Sequence, residues 1–220
     1  ALRAGSGLVT VLCPREIIPI LQITEPGAMC RALEDKPALP CDARLVGCGI
    51  AETEESWRVL LRQIEDGTPT VWDAGALNLL AKNPMELGSA AVITPHPGEA
   101  ARLLGVPVSE VVENPLSSAA RLQKKYRCHV ALKSAVTVLC TAEGQMALHT
   151  AGSPALAKGG SGDALAGILA SLLGQGLPPA RAMQAACLWH GLAGRIAGEK
   201  YGIRSAMTAD VINCLGEAEK

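Results

Sequence analysis

The chain has 220 residues, 49% of them hydrophobic and 19% charged, and a net charge of −1. That length suits one domain with a sizeable core, and that composition excludes wholesale disorder. Near-neutral charge argues against a general nucleic-acid or membrane-surface binder, as does an aromatic content of three Trp, two Tyr and no Phe, too few for stacking single strands.

Residues 8–13 (LVTVLC), a β-branched run closed by Pro14, predict a buried strand. From 15 to 40, Pro19, Pro26, Pro37 and Pro40 leave room for short turns and loops only. Residues 43–47 (ARLVG) predict a second strand, ending in Gly47-Cys48-Gly49. Over 52–65, Trp57, Leu60, Leu61 and Ile64 lie on one face of an amphipathic helix. Thr70-Val71-Trp72 is a third strand, ending at Asp73, with a short helix over 76–80. Residues 90–94 (AAVIT) form a fourth strand stopped by Pro95-His96-Pro97, and helices follow over 98–104 and 115–127. A fifth strand covers 129–133 (HVALK), and 137–140 with 145–149 read as a hairpin across Ala142-Glu143-Gly144. Helices over 162–173, from Pro178-Pro179 to about 198, and over 209–217 with Thr208 as N-cap complete the chain. Short apolar strands alternating with helices predict an α/β protein, its largely parallel sheet covered on both faces. With neither repeat nor linker, residues 1–220 are expected to be one domain.

No uninterrupted run of ~18 apolar residues marks a membrane span, and no secretory signal is evident. The eight cysteines form no CxxC and no zinc-site spacing with histidine. They read as thiols of a cytoplasmic protein, with Cys13, Cys128, Cys140 and Cys187 acting as small core residues.

The stretch with the clearest chemistry is Lys158-Gly159-Gly160-Ser161-Gly162-Asp163, opening an apolar helix. Such a loop aims several backbone N–H groups at one point, in front of the positive end of a helix dipole, and makes an anion site. A carboxylate beside an anion hole suggests phosphoryl transfer to a hydroxyl, with Asp163 taking the proton. The plainer alternative is an acidic residue favoured by the dipole.

In open parallel sheets ligands bind beyond the carboxyl ends of the strands, and the remaining candidates fall there. Gly47 and Gly49 permit a tight turn or a ligand contact. Asp73 is either a cap for the next helix or a polar group facing substrate. His96, held between prolines, suits a binding role; Glu99 answers the helix dipole, orients His96 or holds a metal-bound water. Lys133 reaches a phosphate or extends to solvent. His129, His149 and His190 read as structural, and any metal is expected to be magnesium carried by phosphates.

Six stretches carry a resemblance: ALRAGSGLVTV at 1–11, VGCG at 46–49, WDAGALNLLA at 72–81, ITPHPGEAARLLG at 93–105, LKSAVTV at 132–138 and KGGSGDALAGILASLLGQG at 158–176. In this order they resemble the ADP- or ATP-dependent NAD(P)H-hydrate dehydratases of the ribokinase-like superfamily. The resemblance implies a ribokinase-like three-layer sandwich. It also implies a repair enzyme that phosphorylates the ring hydroxyl of the S epimer of NAD(P)H hydrate and eliminates the phosphate, with ADP or ATP as co-substrate and Mg²⁺ as cofactor. Asp163 would be the base. Gly160, Ser161 and Gly162 would hold the transferring phosphate, and Lys133, Ser134, Ala135, Val136, Thr137 and Gly162 would line the nucleotide site. Gly49 and His96, with Asp163, would contact the hydrate. A homo-oligomer is expected, and an NAD(P)H-hydrate epimerase as fused or working partner. The alternatives are a hydroxyethylthiazole- or hydroxymethylpyrimidine-type kinase of the same superfamily, and a non-catalytic nucleotide-binding subunit.

Three departures stand out. The family usually has GPGLG where this chain has Gly47-Cys48-Gly49-Ile50-Ala51, KG where it has Lys133-Ser134, and GGMGD where it has Ser161. The family also begins with a strand and a glycine loop ahead of the helix in which this sequence opens, so the domain is expected to be N-terminally incomplete.

Overall fold

A computed structural model describes residues 1–33, 40–64 and 67–219. The first residues form a small sheet of their own: β1 (Thr10–Cys13) pairs in parallel with β2 (Met29–Ala32), and α1 (Ile18–Thr24) joins them. Here the expectation of turns and loops over 15–40 is corrected. Pro19 lies in the first turn of α1, where a missing N–H breaks no hydrogen bond, so it starts a helix instead of preventing one. β2 gives no sequence signal because its MCRA run buries only Ala32. Leu2–Ala4, expected as part of a helix, is one turn of 3₁₀. Pro37 and Glu65 fall outside the described residues.

The main sheet follows in chain order: β3 (Arg44–Val46), α2 (Glu54–Gln63), β4 (Thr70–Trp72), α3 (Gly75–Lys82), β5 (Ala91–Ile93), α4 (Pro97–Leu104), α5 (Val108–Glu113), α6 (Pro115–Tyr126), β6 (His129–Leu132), β7 (Thr137–Cys140), β8 (Met146–His149), α7 (Ser161–Gly174), α8 (Pro179–Tyr201), α9 (Thr208–Asn213) and α10 (Leu215–Ala218). Its six strands lie in sequence order, β3 to β6 parallel and β7 and β8 antiparallel. The expected hairpin is therefore present, and the expected last helix is two short ones.

Successive strand residues face opposite sides of a sheet, and here each side has its own apolar core. Val71, Val92, Ala131 and Leu139 pack under Leu165, Ile168 and Leu169 of α7 and Met183 and Ala186 of α8. Trp72, Ile93, Val130, Leu132 and Val138 pack against Trp57 of α2, Leu77 and Leu80 of α3, Leu103 of α4 and Leu122 of α6. Both faces are covered at β4 to β7, whose residues are all buried, so these strands are largely apolar, as the sequence anticipates. Cys13, Cys128, Cys140 and Cys187 are all buried.

The parallel order puts the carboxyl ends of β3 to β6 on one edge. Two of the loops there interlock. Gly47, after β3, has φ +115, and a Cβ on it would collide with the carbonyl oxygen of Asp73 and stand 2.8 Å from the Ala76 nitrogen. The Gly47 carbonyl in turn accepts the N–H groups of Ile50 and Gly75, both at 3.2 Å. Between Asp73 and Gly75, Ala74 is forced to φ 50, ψ −121, a region that penalises any side chain. Ala74→Gly should relieve that strain at some cost in chain entropy, for a net gain of about 1 kcal/mol. A higher urea midpoint with unchanged slope would register it; a lower midpoint would mean that the Ala74 methyl group contributes packing worth more than the strain.

Candidate active site

The first turn of α7 reaches this carboxyl edge. Its N-cap, Gly160, is left-handed at φ 81, which turns the chain sharply into the helix. First-turn amides of a helix have no acceptor within it, so those of Gly162 and Asp163 remain for an anion. The loop before them is tethered: the Thr208 hydroxyl donates to the Gly159 carbonyl at 2.8 Å, and Lys158 Nζ to the Arg204 carbonyl at 2.8 Å. That corrects the assignment of Thr208 as N-cap. Met207 caps α9, its N–H held by the Asp210 carboxylate at 2.8 Å, and the Thr208 side chain serves the glycine loop instead.

Facing α7 is a buried carboxylate. Asp73, directly after β4, is only 2% exposed. Its Oδ1 accepts the Thr94 hydroxyl at 2.8 Å and pairs with Lys133 Nζ at 2.7 Å. Asp73 is therefore no cap for α3, whose N-cap is Ala74. A Cβ on Gly162 would lie 3.2 Å from Lys133 Nζ and 3.7 Å from Asp73 Oδ2, so the helix backbone approaches this pair closely. On the other side stands Cys48, from the loop after β3. Ligand atoms of Cys48, Asp73 and Asp163 all lie within 4.8 Å of one another. Desolvation of the sulfur, then the neighbouring Asp163 carboxylate, push the Cys48 thiol up, so it stays protonated.

The structure brings Asp163, Gly162 and Lys133 together with Asp73, which the sequence leaves between a helix cap and a group facing substrate, and adds Cys48 and Thr94. These two also lie at carboxyl ends of strands, but nothing in their residue types singles them out. Gly49 follows Cys48 on the same loop, exposed at φ 71. Ser134, Ala135 and Val136 form an exposed turn between β6 and β7, while Thr137 is buried. A phosphate fits this arrangement: free first-turn amides, an adjacent ammonium group and room at Gly159, where a Cβ would meet nothing within 4 Å.

His96 is half-exposed and tied to its own helix. Its Nδ1 accepts the N–H groups of Gly98 at 3.0 Å and Glu99 at 3.3 Å, and its own N–H goes to Glu99 Oε2 at 2.8 Å, a reciprocal cap on α4. Nδ1 must then be bare, which puts the proton on Nε2, 3.4 Å from Glu99 Oε1. Glu99 combines two of its expected parts, dipole partner and orienter of His96.

Beneath the glycine loop, Ser161 Oγ lies 3.3 Å from His190 Nε2 of α8, and both residues are buried. Burial, then the charges of His149 and Lys133, lower His190 to about 4. An unfolded histidine titrates near ~6.5. Between those values the unfolded chain binds the extra proton, so stability is fully present above ~6.5 and falls as pH drops towards about 4. Urea midpoints should therefore fall across that window, and fall less in His190→Asn. Equal falls would assign the acid sensitivity to other groups, His129 and His149 first, since burial lowers both.

A family model described as NAD(P)H-hydrate dehydratase matches residues 1–216. The bifunctional NAD(P)H-hydrate repair enzyme Nnr of Escherichia coli (strain K12) is 39% identical over 219 residues, which cover 98% of this chain and 42% of that protein. The chain thus spans less than half the length of the bifunctional relatives it matches. The ADP-dependent (S)-NAD(P)H-hydrate dehydratase of Xanthomonas campestris pv. campestris is 32% identical over 218 residues, 92% of this chain and 74% of that one. Among solved structures, the ADP/ATP-dependent NAD(P)H-hydrate dehydratase from Bacillus subtilis, co-crystallized with ATP/Mg²⁺ and soaked with CoA, has a TM-score of 0.90 at 26% identity, over 100% of this chain and 83% of that one. With the strand-end motifs, the three-layer sandwich and a family match over nearly its whole length, the chain belongs to the NAD(P)H-hydrate dehydratase family.

Proposed function

We propose that residues 1–220 act as one catalytic domain that converts the S epimer of NAD(P)H hydrate to NAD(P)H at the expense of an adenine nucleotide. The observation that carries this reading is Asp163, a carboxylate on the same helical turn whose amides suit an anion. The substrate's ring hydroxyl attacks the terminal phosphoryl group of ADP; its proton passes to Asp163 and AMP departs with the electrons of the broken P–O bond. The phosphate then leaves the ring carbon as a proton is lost from the neighbouring carbon, which restores the double bond. The products are NAD(P)H, AMP and phosphate. ATP is the alternative donor.

In this reading Gly160, Ser161 and Gly162 hold the transferring phosphate. Lys133 stands beside it as a point charge, and Lys133 to Thr137 line the nucleotide. Gly49 and His96 contact the hydrate. Bound Mg²⁺ would neutralise phosphate charge and arrive with the nucleotide. A relative that is co-crystallized with ATP/Mg²⁺ and others named ADP-dependent support these co-reactants. Bifunctional relatives support a fused or cooperating epimerase. Among the described residues no helix is long and apolar enough to cross a membrane, in keeping with our placing the protein, as a homo-oligomer, in the cytoplasm.

Incubation with NADH hydrate, Mg²⁺ and either nucleotide tests the reading. Nucleotide-dependent return of NADH absorbance is expected. A stable phosphorylated product would instead indicate a kinase, and nucleotide binding without turnover a non-catalytic subunit.

A further inference from the structure

The loop after β3 carries a thiol into the site, and its surroundings are those of a metal ligand. Cys48 Sγ, an Asp73 oxygen and an Asp163 oxygen come from three separate segments and lie within 4.8 Å of one another. Zn–S and Zn–O distances of ~2.3 and ~2.0 Å put tetrahedral ligands roughly 3.3–3.5 Å apart, so closure needs a movement of about 1 Å. Two of the three ligand positions are fixed in advance. Asp73 is anchored through Oδ1 by Thr94 and Lys133, which leaves Oδ2 to turn towards the site, as outer-shell donors orient a metal-binding carboxylate. The backbone beneath Cys48 is clamped by the Gly47 carbonyl and its two N–H donors. Asp163, exposed on the first turn of α7, is the adjustable third.

A thiol with two carboxylates is a donor set for a thiophilic divalent cation, whereas magnesium takes oxygen ligands at octahedral spacing. We propose that Cys48, Asp73 and Asp163 bind Zn²⁺, and that this cation shuts the site by occupying Asp163. On binding, the Cys48 thiol proton is lost to solvent, and an S–Zn bond replaces the S–H bond. The two carboxylates outweigh the single charge of Lys133, so the site is net anionic before the cation enters. The inhibitory half of this proposal rests on Asp163 being the base; the binding half does not.

Cation binding is read first, on the intact 220-residue chain without nucleotide, by titrating Co²⁺ or Cd²⁺ and following the thiolate-to-metal charge-transfer band. One cation per chain is expected, displaced by Zn²⁺ and not by excess Mg²⁺. Cys48→Ala should abolish the band with an unchanged circular-dichroism spectrum, Asp163→Asn should keep it with affinity at least about tenfold weaker, and Cys30→Ala should leave it intact. Absence of a band in the wild type, or its persistence in Cys48→Ala, would overturn the site. The second reading is nucleotide-dependent dehydration in excess Mg²⁺. Zn²⁺ should inhibit the wild type at the concentrations that form the site, and Cys48→Ala should need at least about tenfold more. Equal sensitivity of the two proteins would overturn the blocking role. A chain that binds Co²⁺ through Cys48 yet turns over no hydrate would instead overturn the assigned activity and leave the metal site standing.

Discussion

Asp163→Asn should lower turnover by about 10²–10⁴-fold while nucleotide affinity stays within about threefold. Asparagine keeps the shape of the side chain, but it cannot take a proton from a hydroxyl. The amides of α7, the charge of Lys133 and the 134–137 turn are untouched, so binding of ADP or ATP has no reason to fail. In energetic terms the loss is about 3–5 kcal/mol of transition-state stabilisation, all of it in kcat. Steady-state kinetics with NADH hydrate, together with calorimetric titration of nucleotide, separate the two. If nucleotide affinity fell as steeply as turnover, Asp163 would be holding the loop or a cation and another group would be the base.

The second large effect concerns stability. Asp73→Ala removes the partner of an ammonium group that is 20% exposed, and leaves the Thr94 hydroxyl on its longer, 3.3 Å bond to the Trp72 carbonyl. Breaking one side of a buried pair costs about 3–5 kcal/mol, and the partial exposure of Lys133 places the expected loss near 3 kcal/mol. Most of that cost is the stranded charge rather than the lost attraction. Lys133→Met in the Asp73→Ala background should therefore restore stability instead of lowering it further, with a coupling energy of about 1–3 kcal/mol. Urea midpoints of the wild type, both single variants and the double variant complete the cycle. Additive losses would mean that Lys133 finds other solvation when Asp73 is gone and that the pair is ornamental.

Much of the architecture is legible in the sequence because the central parallel strands β4 to β6 are buried on both faces. Runs such as AAVI and VAL at 130–132 are uninterruptedly apolar, and Gly88 and Pro95 bracket the first of them. Segments outside that sheet are less legible. β2 has one buried residue, and α5 is six residues with Val111 as its buried contact, too short for a periodic stripe. The site divides in the same way. Its glycine loop, Asp163 and Lys133 lie in compact local motifs. Their neighbours do not, because Cys48, Asp73 and Asp163 meet only through consecutive strand order and the return of α7 across the sheet. Asp73 is balanced between two roles until Ala74 is seen to take the cap position. His190 reads as structural and is buried, but its neighbour Ser161 lies on the glycine loop, a pairing that no spacing rule connects.

The interlock of Gly47 with the Asp73 carbonyl also governs how this site can diversify. Side chains at 47 and 75 are barred by backbone, the one by Asp73, the other by the Ile50 carbonyl 2.7 Å from where its Cβ would stand. Position 48 is exposed and lies between these constraints. Sequence drift is thereby channelled into one side chain that can change its chemistry without displacing the frame on either side. A lineage could retune the neighbourhood of Asp163 there in a single step, and the thiol in this chain is one such setting.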